Sequence, residues 1–233
     1  LVESIGNAFK HNCQRFDLYF MTGIPTQTAS SVLGTAGAVK ELYAHIGNNP
    51  RLLPFIGPMA PFLDPGSMVY ENPEQYGYTL RAHTLEEHRQ RLTLPSWKYI
   101  LNYIPDGMTL DEMVDATYEA AIGLNRVKAA VGSIDPKTAA ATERRVLEAQ
   151  IAMARIDQIM AHEEPQRGAL LLDFKREIDV LNESTVCEKS ELNWPTRLGP
   201  SHFYSNIRLW LRVNLETLFP WMRRVDRRFM EGE

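Results

Sequence analysis

The sequence predicts an α/β fold in which a parallel strand-helix-strand unit leads into a mainly helical C-terminal region. Two short apolar runs, Phe16 to Met21 and Leu52 to Ile56, have the length of buried strands. One amphipathic helical stripe separates them, and a crossover helix of this kind joins parallel strands. From Met108 onward apolar residues recur at steps of three and four between capping signals, which is the pattern of helices.

Composition narrows the class. With 233 residues and 44 % hydrophobic content, the chain can bury one good core or two smaller modules sharing one. Charged residues make up 23 % and the formal net charge is -4, so there is no electrostatic case for nucleic acid as a partner. Cys13 and Cys187 stand far apart without a CxxC-type neighbour, so neither a disulfide framework nor a cysteine metal site is read from them. A reducing, cytoplasmic setting is expected. The uncharged stretch from Leu18 to Val39 has the length of a membrane span, but Pro25, Gly23, Gly34, Gly37 and several Ser, Thr and Gln side chains argue against one.

The elements follow in order. Val2, Ile5, Ala8 and Phe9 recur at helical spacing, and the aromatic run Phe16 to Met21 then reads as a buried strand. Gly23 and Pro25 break it, and Thr26 or Thr28 can cap the next helix, whose stripe is Val32, Ala36, Val39, Tyr43 and Ile46 before a stop at Gly47. Leu52 to Ile56 is the second strand, with Pro54 marking it as an edge or irregular one. Parallel strands place the two loops that follow them, 22–28 and 57–67, at one carboxyl edge, where ligands bind in α/β folds.

The second of these loops carries Pro58, Pro61 and Pro65 and is expected to form a stiff wall. Residues 71–78 are turn-rich, 84–92 read as a short charged helix, and 95–103 form an apolar patch of open type. Thr109-Leu110-Asp111-Glu112 is a capping box, with Met108 and Met113 as its hydrophobic staple. That helix should end at Gly132. Asp135-Pro136 starts a second one, bearing Val146, Ala149, Met153, Ile156 and Met160, and the two form an antiparallel hairpin. Further helices are expected over 168–181 and 204–219.

Three places carry a family resemblance. The run Phe16-Asp17-Leu18-Tyr19-Phe20-Met21-Thr22-Gly23-Ile24-Pro25-Thr26-Gln27-Thr28 resembles the fifth barrel strand of radical S-adenosylmethionine proteins and the Gly-Leu/Ile-Pro-Gly-Glu/Gln-Thr turn after it. Here Thr26 replaces the usual glycine and Gln27 the common glutamate. Residues 58–70 resemble the proline- and glycine-rich loop after the sixth strand. Glu86-Glu87-His88-Arg89, Pro95 to Tyr99 and Asn102-Tyr103 are similar to the cobalamin (B12)-binding subgroup.

This resemblance implies the last strands of a partial (β/α) barrel over residues 1–105 and a helical C-terminal domain over 106–233. It implies S-adenosylmethionine, a 4Fe-4S cluster and cobalamin as cofactors, and a small-molecule substrate of unspecified type. Phe20, Met21, Gly23, Pro25, Pro58, Pro61 and Asp64 become the cofactor-binding candidates, because a flat base wants apolar walls and close backbone approach. The family's three closely spaced cysteines are absent from this sequence. The chain is therefore expected to be a C-terminal fragment whose partner is the missing N-terminal half, inactive alone.

Other features read as structural. His88 beside Glu86 and Glu87, and His162 beside Glu163 and Glu164, lack the paired spacing of a zinc helix and are expected to be solvated charge. The tail from Pro220 to Met230 sets Arg223, Arg224, Arg227 and Arg228 against Trp221, Val225 and Phe229, a pattern suited to a docked terminal helix or to a membrane surface. The alternatives to an enzyme are a non-catalytic helical interaction module and a peripheral membrane protein acting through the arginine-rich tail.

Overall fold

Helix α1 (Val2–Lys10) precedes strand β1 (Phe16–Thr22), and helices α2 (Ala29–Leu33) and α3 (Thr35–His45) cross over to strand β2 (Leu52–Pro58). The two strands pair in parallel, with Phe16 opposite Leu52 and Thr22 opposite Pro58. The expected β-α-β unit is thus present, although its crossover helix breaks at Gly34 into two segments. This computed structural model describes residues 1–58, 62–181 and Ile207. Pro61, Cys187, the helix expected over 204–219 apart from Ile207, and the arginine-rich tail lie outside the described residues.

The two prolines of β2 fall where a proline costs no ladder bond. The Phe16 N–H donates to the Arg51 carbonyl at 2.8 Å. In a parallel ladder successive N–H groups face opposite sides, so Leu53, Phe55 and Gly57 donate toward β1 while positions 52, 54, 56 and 58 face outward. Pro54 and Pro58 lack only outward donors, which makes this side of the sheet a poor template for another strand. The opposite edge carries no proline. There Asp17, Tyr19 and Met21 turn their peptide groups away from β2, and no strand pairs with them among the described residues.

After β2 come a short helix α4 (Met68–Glu71), strand β3 (Tyr78–Leu80), helices α5 (Leu85–Leu92) and α6 (Trp97–Ile100), and strand β4 (Tyr103–Pro105). Strands β3 and β4 pair antiparallel. This small ribbon was not expected from a segment that reads as turns. Long helices α7 (Leu110–Val131) and α8 (Pro136–Met160) then form the expected hairpin, followed by α9 (Gln166–Leu181). The capping box at Thr109 and Glu112 forms as predicted, and Met108 and Met113 are both buried beside it. Asp135 caps α8 by accepting the N–H groups of Lys137 and Thr138, each at 3.0 Å.

The chain is mixed α/β, but among the described residues its strands form two separate two-stranded sheets, and no closed barrel is present. Val32, Leu63, Tyr78, Leu101 and Tyr103 pack in one core cluster with Met108, Met113, Ala116 and Ala120 of the following segment. One compact unit spans Leu1–Glu177. A second core cluster gathers Ile5, Val39, Leu42, Tyr43 and Leu52 around Leu124 of α7. Helices α3 and α7 approach so closely that a Cβ on Gly123 would stand 2.9 Å from that of Ala36.

A buried side chain takes the place of a strand for the proline loop. Asn102 is fully buried, and its Oδ1 accepts the Leu63 N–H at 2.7 Å while its Nδ2 donates to the Leu63 carbonyl at 3.0 Å. The same Nδ2 donates to Nε2 of His88 at 2.9 Å, and the other ring nitrogen of His88 donates to the Thr84 carbonyl at 2.8 Å. His88 is therefore a ring bonded on both sides and flanked by Phe62 and Tyr70, in contrast to the solvated charge its acidic neighbours suggest. His162 is exposed. The change Asn102→Ala strands the two buried peptide groups of Leu63, and urea denaturation should show a loss of about 2–4 kcal/mol.

Candidate functional site

The carboxyl edge of the parallel pair holds most of the residues singled out from sequence, and strand alternation sorts them. Phe16, Leu18 and Phe20 pack toward Val39, Leu42 and Leu124. Asp17, Tyr19 and Met21 face the other way, with Tyr19 69 % and Met21 48 % exposed. Phe20 and Met21 thus line opposite faces and cannot touch one flat ligand together. On the open face Tyr19 stacks on Phe55, with ring centroids 5.3 Å apart. Ile24 adds a further exposed apolar group.

The turn after β1 is locked by the second half of the molecule. Gly23 has φ +86°, and its carbonyl accepts the Tyr78 hydroxyl at 3.1 Å. A Cβ there would stand 2.9 Å from Sδ of Met113 and 3.2 Å from the Tyr103 hydroxyl. The space beside Gly23 is filled by protein, so its lack of a side chain serves packing. Gln27 bridges the end of the strand, with Oε1 accepting the Gly23 N–H at 3.0 Å and Nε2 donating to the Met21 carbonyl at 3.2 Å. Only an amide does both, which suits glutamine here over glutamate. Thr26 has φ +62°, a left-handed conformation that glycine adopts without strain and a β-branched residue does not.

Pro25 lies against Gly77, whose Cβ, if added, would stand 3.1 Å from that of Pro25. Pro58 is half-buried at the end of β2. Asp64 opens a tight turn in which its carbonyl accepts the Ser67 N–H at 3.0 Å, with Gly66 at φ +85°; its own side chain is exposed. Among the described candidates, Asp64 and Met21 are thus the ones left open to solvent. Cys13 donates to the Arg15 carbonyl at 3.1 Å. Among the described residues no three His, Cys, Asp or Glu side chains converge as metal ligands.

A charged cluster that the sequence did not reveal joins α6 to the helical hairpin. Lys98 is buried, its Nζ lies 2.8 Å from Asp157 Oδ2, and it also contacts Asp111. The Tyr99 hydroxyl donates to Asp157 Oδ1 at 2.8 Å, and the Trp97 indole donates to the Tyr118 hydroxyl at 3.1 Å. Burial alone would lower the Lys98 pKa, but the two carboxylates outweigh it and raise it. Burial, reinforced by Asp157, pushes Tyr99 up to about 12. An ammonium and a phenol held in their protonated forms are neither base nor nucleophile near neutral pH. The cluster is a clamp, and the missing sequence signal is that its partners lie 13 to 59 positions apart.

Comparison with protein-family models, with curated proteins and with solved structures found no match.

The Thr26→Gly change should relieve left-handed strain of about 1–2 kcal/mol, less the added freedom of glycine in the unfolded chain, and raise stability by about 0.5–1 kcal/mol. Thermal unfolding would show it. Alkaline stability tests the tyrosines. Burial pushes Tyr78, like Tyr99, from 10.0 up to about 12, so the folded state keeps protons that the unfolded state releases in that interval. Stability is then full below pH 10.0 and falls as pH rises toward about 12. The variants Tyr78→Phe and Tyr99→Phe should each flatten that fall in urea titrations across the interval.

Proposed function

We propose that this chain is the C-terminal part of a cobalamin-dependent radical S-adenosylmethionine enzyme, contributing the adenine-side wall of the barrel and a helical cap. The observation that carries the reading is the turn after β1. Thr26 holds the left-handed backbone at the position where the resembling motif has glycine, and the turn ends a parallel strand with an open apolar face. The edges of the pair agree with last-strand placement. Pro54 and Pro58 discourage pairing beyond β2, while the peptide groups of Asp17, Tyr19 and Met21 would receive the preceding strand.

The fit to S-adenosylmethionine lies on one face. Met21, with Tyr19 and Ile24, offers an exposed apolar wall to a flat base, whereas Phe20 is packed inward and Gly23 is enclosed by Tyr78, Tyr103 and Met113. The described residues supply no thiolate set for a cluster, so in this reading the cluster ligands and the cobalamin domain belong to the rest of the protein. Bound there, these groups supply radical initiation or methyl transfer. The residues here orient and shield: Tyr19 and Met21 cover one side of the base, and α7, with Tyr78 and Tyr103, braces the turn beside them. The substrate is a small molecule, and the fragment alone is inactive.

The coding sequence upstream of Leu1 tests this directly, since the reading requires a Cys-xxx-Cys-xx-Cys motif there and fails if the full-length product has none. In that full-length protein Met21→Glu should weaken S-adenosylmethionine binding about tenfold, equivalent to about 1.4 kcal/mol, by equilibrium dialysis. Phe20→Leu should lower stability and leave binding intact. A second reading, a non-catalytic interaction module, draws on Leu147 and Ile151, which are exposed one turn apart on α8. It calls for partner binding and for no S-adenosylmethionine binding by the full-length protein. Among the described residues no helix is long and apolar enough to cross a membrane.

A further inference from the structure

On the outward side of β2 a cleft of about 350 Å³ opens between the strand, α7 and the first turns of α8. Leu53, Ile56, Leu124, Ile134 and Val146 supply most of its lining, and Thr138 and Thr142 add hydroxyls. One cation enters it from α7. Lys128 is 8 % exposed, and its Nζ lies 4.6 Å from the centroid of the Phe55 ring. Among the described residues no carboxylate pairs with it, because the nearby Asp17 is held by Arg15 at 2.8 Å. An aromatic face offsets only part of the cost of burying an ammonium. Burial, and after it the neighbouring Arg15, lowers the Lys128 pKa against an opposing pull from Asp17.

A second group in the same cleft is also incomplete. Asn125 is 2 % exposed, and its Nδ2 donates to the Ala139 carbonyl at 2.8 Å, which fixes the orientation of the amide. Its Oδ1 is buried and accepts no hydrogen bond from the described residues. That oxygen lacks a donor, which a carboxylate cannot supply, so an anion in this cleft is placed by Lys128 alone.

The geometry points to this cleft as a binding site for a small monocarboxylate with an apolar body, its carboxylate on Lys128 and its hydrocarbon part against Leu53, Ile56, Ile134 and Val146. The charge count favours a monoanion: Arg15 and Asp17 neutralise each other, leaving Lys128 as the one uncompensated charge among the described lining residues. The volume falls in the range of small-ligand sites. Nothing in the site depends on the function proposed for the carboxyl edge.

Hexanoate, hexanol and inorganic phosphate distinguish the contributions. In methyl NMR of the whole chain, hexanoate should shift Ile134 and Val146 saturably and bind at least about tenfold tighter than either hexanol or phosphate. Lys128→Met should abolish the hexanoate shifts, and Lys128→Arg should retain them. Equal binding of hexanol, binding of phosphate as tight as that of hexanoate, or undiminished hexanoate binding by Lys128→Met would each overturn the assignment. If Lys128→Met does not fold, the three-ligand comparison on the unaltered protein decides alone, and absence of saturable hexanoate shifts rejects the site.

Discussion

Helix α7 lies against α2, α3 and β2 at once, and its buried residues belong to both core clusters: Met113, Ala116 and Ala120 to one, Leu124 to the other. Such a position requires small residues where backbones meet, which Gly123 opposite Ala36 supplies. It also brings Met113 onto Gly23 and sets the Thr117 hydroxyl 2.9 Å from that of buried Thr22. The conformation of the turn after β1 thus depends on a helix ninety residues later. Removing α7 would expose the packed side of the parallel pair and release that turn, since a two-stranded unit has little independent stability.

Around this contact, irregular segments are held by side chains that stand in for regular backbone pairing. Asn102 bonds both peptide groups of Leu63, Gln27 bridges Met21 and Gly23, and the Tyr43 hydroxyl donates to the Leu52 carbonyl at 2.5 Å. Arg81 donates to the carbonyls of Lys98 and Leu101, and Arg91 donates to those of Arg81 and Tyr99. Buried peptide groups need partners, and where strands are short the side chains provide them. These bonds keep the proline loop and the 81–105 segment in one arrangement.

The parallel pair therefore has two unlike sides. Its inner face is packed against helices, and its outer face leaves Tyr19 and Met21 uncovered beside the turn after β1. Beyond β2, the charge of Lys128 sits in an apolar cleft without a counter-ion among the described residues. Both features leave polar or apolar groups unsatisfied within the described fold, and unsatisfied groups are where ligands and further chain segments act.

Local signals in the sequence determined a large part of this protein. Strand length and apolar runs specified β1 and β2, Thr109 with Glu112 and Asp135 with Pro136 specified the starts of α7 and α8, and Pro54 marked an edge strand. These are legible because each depends on neighbours within a few positions. The β3–β4 ribbon is not, because its strands are three residues long and too short for a period to show. Nor is the Lys98 clamp, the bonded ring of His88 or the enclosure of Gly23, which rest on partners far away in sequence. The sequence placed Phe20, Met21 and Gly23 in one motif; tertiary packing decided that only Met21 remains open. Alternation assigns two faces, but only the position of α7 determines which of them is covered.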